Sequence, residues 1–220
     1  MANIRNIDLV SFVGVFDAQK APQLQVGAQT VRDVENKLGQ TVQGAEGVSE
    51  RGPAQFILVP RDQIELLIEK ERIEVRRRYP GELIKDGPMM ANTFWSALNS
   101  MSADPSKFPW IRFGYNMILS TPAVPTAIEK LAVGLFSDTF KKALGYPITG
   151  AAAWTWLKVD SDVTLWLRLE PFRNDPTANR VAVTANFLVE NGNMPPQNEF
   201  STNLDGYSTK LNEILDRIGL

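Results

Sequence analysis

Apolar and polar residues alternate with a period of two along much of the chain, interrupted by blocks with helical spacing. The first extended block, "IDLVSFVGVF" (Ile7 to Phe16), is rich in β-branched and aromatic residues and predicts a strand. In "VGAQTVRDVENKLG", Val31, Val34 and Leu38 share a helical face and Gly39 is a natural stop. Gln40 to Gly52, rich in glycine and polar residues, predicts a mobile loop. "AQFILVP", "QIELLIEK" and "RIEVRRRY" predict three strands, and a helix over Met89 to Met101 follows, with Asp86 and Pro88 as cap and first-turn residues.

The second half repeats this order. "WIRFGYNMIL" (Trp110 to Leu119) predicts a strand, and Pro125 to Gly145 a helix with Ile128, Leu131, Leu135 and Leu144 inward. "AAAWTWLKV", "DVTLWLRLE" and "RVAVTANFLVE" predict three more strands, before a final helix capped by Asp205. "GPAQFILVPRDQIELLI" also lies over "GAAAWTWLKVDSDVTLWL", placing Asp62 and Asp162 in equivalent positions. The expected fold is therefore α+β, with two tandem β-α-β-β-β-α repeats, residues 1–104 and 105–220. Strands grouped without intervening helices imply mostly antiparallel pairing, with helices on one face. Two unrelated α+β halves are the alternative. One continuous sheet and two packed sheets both fit.

Three consecutive arginines, Arg76 to Arg78, raise the question of a polyanion site. A hairpin turning between Lys70 and Glu71 would set Glu69 against Arg72, Glu65 against Arg76, Ile68 against Ile73 and Leu66 against Val75. Opposite charges then face one another across the strands, and alternation sends Arg77 and Arg78 to opposite sides. The run reads as the wet face of a sheet.

The second half has a different outward row. Thr164, Trp166 and Arg168 alternate with Val163, Leu165, Leu167 and Leu169. Trp154, Trp156 and Lys158 form another row, and Trp110, Arg112, Gly114 and Asn116 a third. If these rows share the face away from the helices, Trp110, Arg112, Trp154, Trp156, Trp166 and Arg168 make a tryptophan-rich binding surface, because tryptophan and arginine are enriched where partners bury area. The competing expectation puts the tryptophans in a core between two layers.

Composition narrows the chemistry. The chain has no cysteine and no histidine, which removes thiolate and imidazole metal ligands, the commonest general base and the usual triads. An enzyme would have to work through carboxylates, lysine, tyrosine or hydroxyls, or through a metal held by oxygen ligands. The acidic pair in "VDSD" reads as turn chemistry, and "GAEGVSERG" has neither P-loop nor dinucleotide spacing. A net charge of −2 gives no bulk attraction to nucleic acid or to an anionic membrane. No apolar run approaches the length of a membrane span, and the N-terminus lacks the pattern of an export signal, so a cytoplasmic location is expected.

"WIRFGYNMIL" and the closing "RVAVTANFLVENGN…DGYSTKLNEILDRIG" resemble the corresponding parts of a sporadically distributed family of uncharacterised bacterial proteins. The likeness covers mainly the second half. The final helix here lacks the histidine usual in that family, so no functional residue is carried over. In element order alone the chain is also similar to gyrase-inhibitor-like effector-binding proteins and to TATA-binding saddles, although it lacks a basic concave surface of the latter kind.

The expected function is non-enzymatic binding of a protein partner, or of a second copy as a homo-oligomer, through the tryptophan face. The resemblance implies an accessory role in a bacterial or phage conflict or regulatory system. A small-molecule sensor with a cavity between the repeats is the alternative, and a carboxylate–metal hydrolase or nuclease is a third. No cofactor and no metal site is expected, and nucleic-acid binding is disfavoured.

Overall fold

The computed structural model describes residues 5–102, 104–121, 139, 142–143, 152–171, 180–190 and 192–220. The period-two blocks become strands of a single sheet. In chain order these are β1 (Asn6–Phe16), β2 (Gln43–Ser49), β3 (Gly52–Val59), β4 (Ile64–Glu69), β5 (Arg72–Arg78), β6 (Trp110–Ser120), β7 (Ala153–Lys158), β8 (Val163–Pro171) and β9 (Val181–Val189). The helices fully contained in the described residues are α1 (Ala28–Leu38), α2 (Leu83–Met101) and α3 (Phe200–Arg217). The strand order is β2-β3-β4-β5-β1-β6-β9-β8-β7, with every neighbouring pair antiparallel. A mixed α+β fold with an antiparallel sheet is thus what the sequence expects, and the sheet is continuous rather than split in two.

One face of the sheet is apolar and carries the helices. Phe12 of β1 is the hub: its ring centroid lies 5.1 Å from Phe94 of α2, 5.2 Å from Phe200 of α3, 5.7 Å from Phe113 and 5.0 Å from Tyr115 of β6. Around it Val10, Ile73, Val75, Met117, Val183, Leu204 and Leu211 complete a core whose members are withdrawn from water. Helices α2 and α3 approach each other at Gly87, where an added Cβ would lie 3.0 Å from Cα of Ser201.

Several local expectations are corrected. Gln43 to Ser49 forms a strand where a loop is expected, because an exposed edge strand needs only its ladder to β3 and no apolar pattern of its own. Helix α2 begins at Leu83, so Pro88 sits inside it; the proline falls in the second turn, close to the exposed Ile84, where water can satisfy the freed carbonyl. Helix α3 starts at Phe200 and Asp205 lies within it rather than at its cap. Gly39 ends α1 as expected, in the left-handed conformation at φ 64° with its N–H on the carbonyl of Glu35. The helix expected over Pro125 to Gly145 falls, apart from three isolated residues, outside the described residues.

The β4–β5 hairpin has the anticipated register, with Glu69 opposite Arg72, Glu65 opposite Arg76, Leu66 opposite Val75 and Ile68 opposite Ile73. Arg76 pairs with Glu65 and Arg72 with Glu74, while Arg77 reaches across to Asp86 of α2 at 3.0 Å. The Arg72 and Glu74 side chains are mostly buried, and Glu69 lies 3.7 Å from the same guanidinium. Replacing Arg72 with methionine therefore strands two buried carboxylates and is expected to cost about 2 kcal/mol in a urea titration, whereas Arg72→Met with Glu74→Leu recovers most of the loss.

Candidate open-face binding groove

None of α1, α2 and α3 lies on the opposite face of the sheet, where Ser11, Val13, Leu67 and Glu74 are buried near the centre and the β7 edge is exposed. Alternation along each strand places one transverse row across it, fixed by the pairing: Glu65, Arg76, Ser11, Asn116, Asn186, Trp166 and Trp156, from β4, β5, β1, β6, β9, β8 and β7 in that spatial order. The row is charged at one end, amide and hydroxyl in the middle, and aromatic at the other. Asn116 donates from Nδ2 to Ser11 Oγ at 3.0 Å.

Trp154 and Trp156 stand on the edge strand β7 and are 65% and 67% exposed. Both lean on Trp166, with centroids 6.1 and 6.3 Å away. The Arg168 guanidinium lies 4.9 Å from the Trp154 ring centroid and bonds Glu170 at 2.6 Å, a cation–π and ion-pair arrangement that holds the outermost tryptophan upright. The two expected tryptophan rows thus meet on one surface.

Trp110 does not join them. Val15 pairs with Arg112 and Phe16 with Trp110, leaving Ile111 as an extra residue that reverses the alternation. The indole is sent to the core side, 4.8 Å from Phe108 and 5.1 Å from Phe113. Gly14 makes room for it, since a Cβ there would sit 2.5 Å from the indole ring. Arg112 stays outward and exposed.

A groove of about 520 Å³ opens between the two halves of the sheet, lined by Arg51, Arg72, Arg112, Asn116, Asn186 and Trp156, with Trp166 and Gly114 beside them. Sequence reasoning missed Arg51, which arrives at the groove on the β2–β3 turn, and it missed Asn186, whose outward position follows from β9 alternation. Gly114 leaves the space that the Asn186 amide fills, since its Cβ would meet Oδ1 at 3.0 Å. That Oδ1 is buried and accepts no hydrogen bond among the described residues. The side chains of Arg51 and Arg112 have neither ion pair nor hydrogen bond among the described residues.

Elsewhere a larger cavity, about 580 Å³, lies between residues 16–24 and the β3–β4 edge, lined by Phe16, Pro22, Leu24 and Ile68 among others. A third, about 340 Å³, is lined by Tyr115, Tyr207, Asp160 and Asp162. Burial pushes both phenols up, with the two aspartates adding to the effect at Tyr207, so each is a neutral hydroxyl near pH 7. Among the described residues no three carboxylates converge as a metal site, and no helix is long and apolar enough to cross a membrane. A scan against protein-family models finds no match, and a search of curated proteins finds no similar sequence.

Proposed function

We propose that this is a non-enzymatic binding protein that takes a protein partner, or a second copy of itself, on the open face of its sheet. The observation that supports the reading is the pair of tryptophans on the β7 edge, more than half exposed and braced by Trp166 and Arg168. Exposed indoles already braced by neighbouring side chains lose less freedom when a partner arrives, which suits them as anchors. An accessory role in a bacterial or phage conflict or regulatory system follows from the family resemblance alone, and a cytoplasmic setting fits the absence of cysteine.

A second reading, a small-molecule sensor, is favoured by the position of the groove. Val13, Val15 and Arg72 come from one half and Arg112, Asn186 and Trp166 from the other, as a site between repeats requires. The duplication itself is part of the proposal. It is supported by the strand order, in which exchanging β1 with β6, β5 with β9, β4 with β8 and β3 with β7 returns the same sequence of neighbours, with β2 unmatched.

Light-scattering mass with acrylamide quenching tests the first reading. A mass above the 24.5 kDa monomer that Trp156→Ala or Trp166→Ala returns to monomer identifies the occupant as a second copy. A monomer with quenchable tryptophans leaves the face free for another protein. A monomer whose tryptophans are already shielded overturns the reading and turns attention to the groove as a pocket.

A further inference from the structure

We propose that the occupant of the groove is an acidic, extended peptide segment of a partner protein, a step that rests on the open-face reading above. The charge balance of the lining is the first argument. Among the described residues three arginines and no carboxylate line the groove, in a chain whose net charge is −2. Arg72 is neutralised by Glu74, but Arg51 and Arg112 have no counter-charge among the described residues. Lys158, on the outward row of β7, likewise has none. A cationic ligand would find nothing to pair with here, and a carboxylate would find two free guanidiniums able to receive it in a bidentate fork.

The unpartnered acceptor is the second argument. Asn186 lines the groove, and its Oδ1, packed against Gly114 without a partner among the described residues, gains a hydrogen bond if the amide turns toward an N–H or O–H of the occupant. A peptide backbone offers one at every residue. Shape is the third. The row from Glu65 to Trp156 crosses seven strands, and six steps of about 4.8 Å make it about 29 Å long, the reach of roughly nine extended residues. A compact small molecule would cover only its centre. Two unpaired guanidiniums are also too few to follow a phosphate backbone. A second copy presenting the same basic face in a two-fold contact would set arginine against arginine. Acidic side chains thus meet Arg112 and Arg51, a backbone N–H meets Asn186, and an apolar side chain packs on Trp156 and Trp166.

The test is fluorescence anisotropy with a labelled Ac-Glu-Leu-Glu-Phe-Glu-Leu-Glu-Leu-Glu-amide peptide, its lysine-for-glutamate counterpart, and polyuridylate as the nucleic-acid arm. Expected is saturable binding of the acidic peptide only, weakened about tenfold or more by Arg112→Glu and by raising salt to about 0.5 M, and weakened also by Trp156→Ala. Both positions are exposed, so the variants keep their circular dichroism and melting temperature. Absence of saturable binding at about 1 mM peptide, affinity that Arg112→Glu leaves unchanged, or preference for the lysine peptide or polyuridylate overturns the proposal. If the peptide fails while light scattering finds a Trp156-dependent oligomer, the open-face reading survives and only the acidic partner is wrong; if the tryptophans also prove shielded, both fall.

Discussion

Phe12→Ala lowers the melting temperature by about 10 °C. The side chain is fully buried and sits within 6 Å of the rings of Phe94, Trp95, Phe113, Tyr115 and Phe200, so it joins β1, β6, α2 and α3 at one point. Truncation removes its transfer free energy and leaves a cavity walled by rigid rings that cannot collapse into it, a cost of about 3–5 kcal/mol. In a chain of this size each kcal/mol moves the midpoint by about 2–4 °C. Scanning calorimetry checks the value, and a fall of less than about 3 °C would mean that the two helices do not converge on β1.

Gly87→Val is the second large effect, and two opposing contributions decide its sign. Replacing a helical glycine ordinarily stabilises by up to about 1 kcal/mol. Here the new Cβ would stand 2.6 Å from Oγ and 3.0 Å from Cα of Ser201, and a backbone atom cannot swing aside. Helices α2 and α3 must part, which costs roughly 1–3 kcal/mol of overpacking, and the two extra methyls of valine put the net loss at about 2 kcal/mol. Ser201→Gly in the same chain removes the nearest side-chain atoms and restores part of it. A Gly87 variant more stable than the native chain would show that the helices are further apart than this crossing.

The sheet was legible because its pattern is dictated by burial of one face. The β4–β5 register followed from pairing Glu65 with Arg76 and Ile68 with Ile73, since a slip of one residue would put Ile68 in water and Glu69 in the core. Strand β2 was not legible. "QGAEGVS" lies at the edge, where main-chain pairing with β3 supplies its order and the side chains face solvent. Trp110 was misplaced because a bulge at Ile111 breaks the phase that alternation assumes, and nothing local in "WIRFG" marks the extra residue. The glycine that accommodates the indole, Gly14, lies on another strand, so the signal is only visible once β1 and β6 are paired. The groove was half legible. Trp156, Trp166 and Arg112 could be assigned to outward rows, but Arg51 joins them through a hairpin that the sequence reads as loop.

The run of arginines illustrates how pairing changes the meaning of charge. Arg72, Arg76 and Arg77 are each matched by a carboxylate, on β4, β5 or α2, and so belong to the architecture. Arg51 and Arg112, which have no such match among the described residues, come from elsewhere in the chain and converge on the groove. Net charge and composition conceal this separation, because it arises only when the strands are laid side by side.

The protein-partner reading and the acidic-peptide proposal both require the outward side chains of Arg112 and Trp156 to stand in water in the free protein, and the absence of native cysteine makes this directly measurable. Arg112→Cys, Trp156→Cys and, as a core-facing control, Leu167→Cys would be reacted with a maleimide under native conditions and compared with the unfolded chains. The first two positions are expected to react within about tenfold of their unfolded rates and Leu167→Cys only through opening of the fold, slower by orders of magnitude. Protection of Arg112→Cys and Trp156→Cys comparable to that of Leu167→Cys, in a protein that light scattering finds monomeric, would contradict an open face and with it the binding surface proposed for this chain.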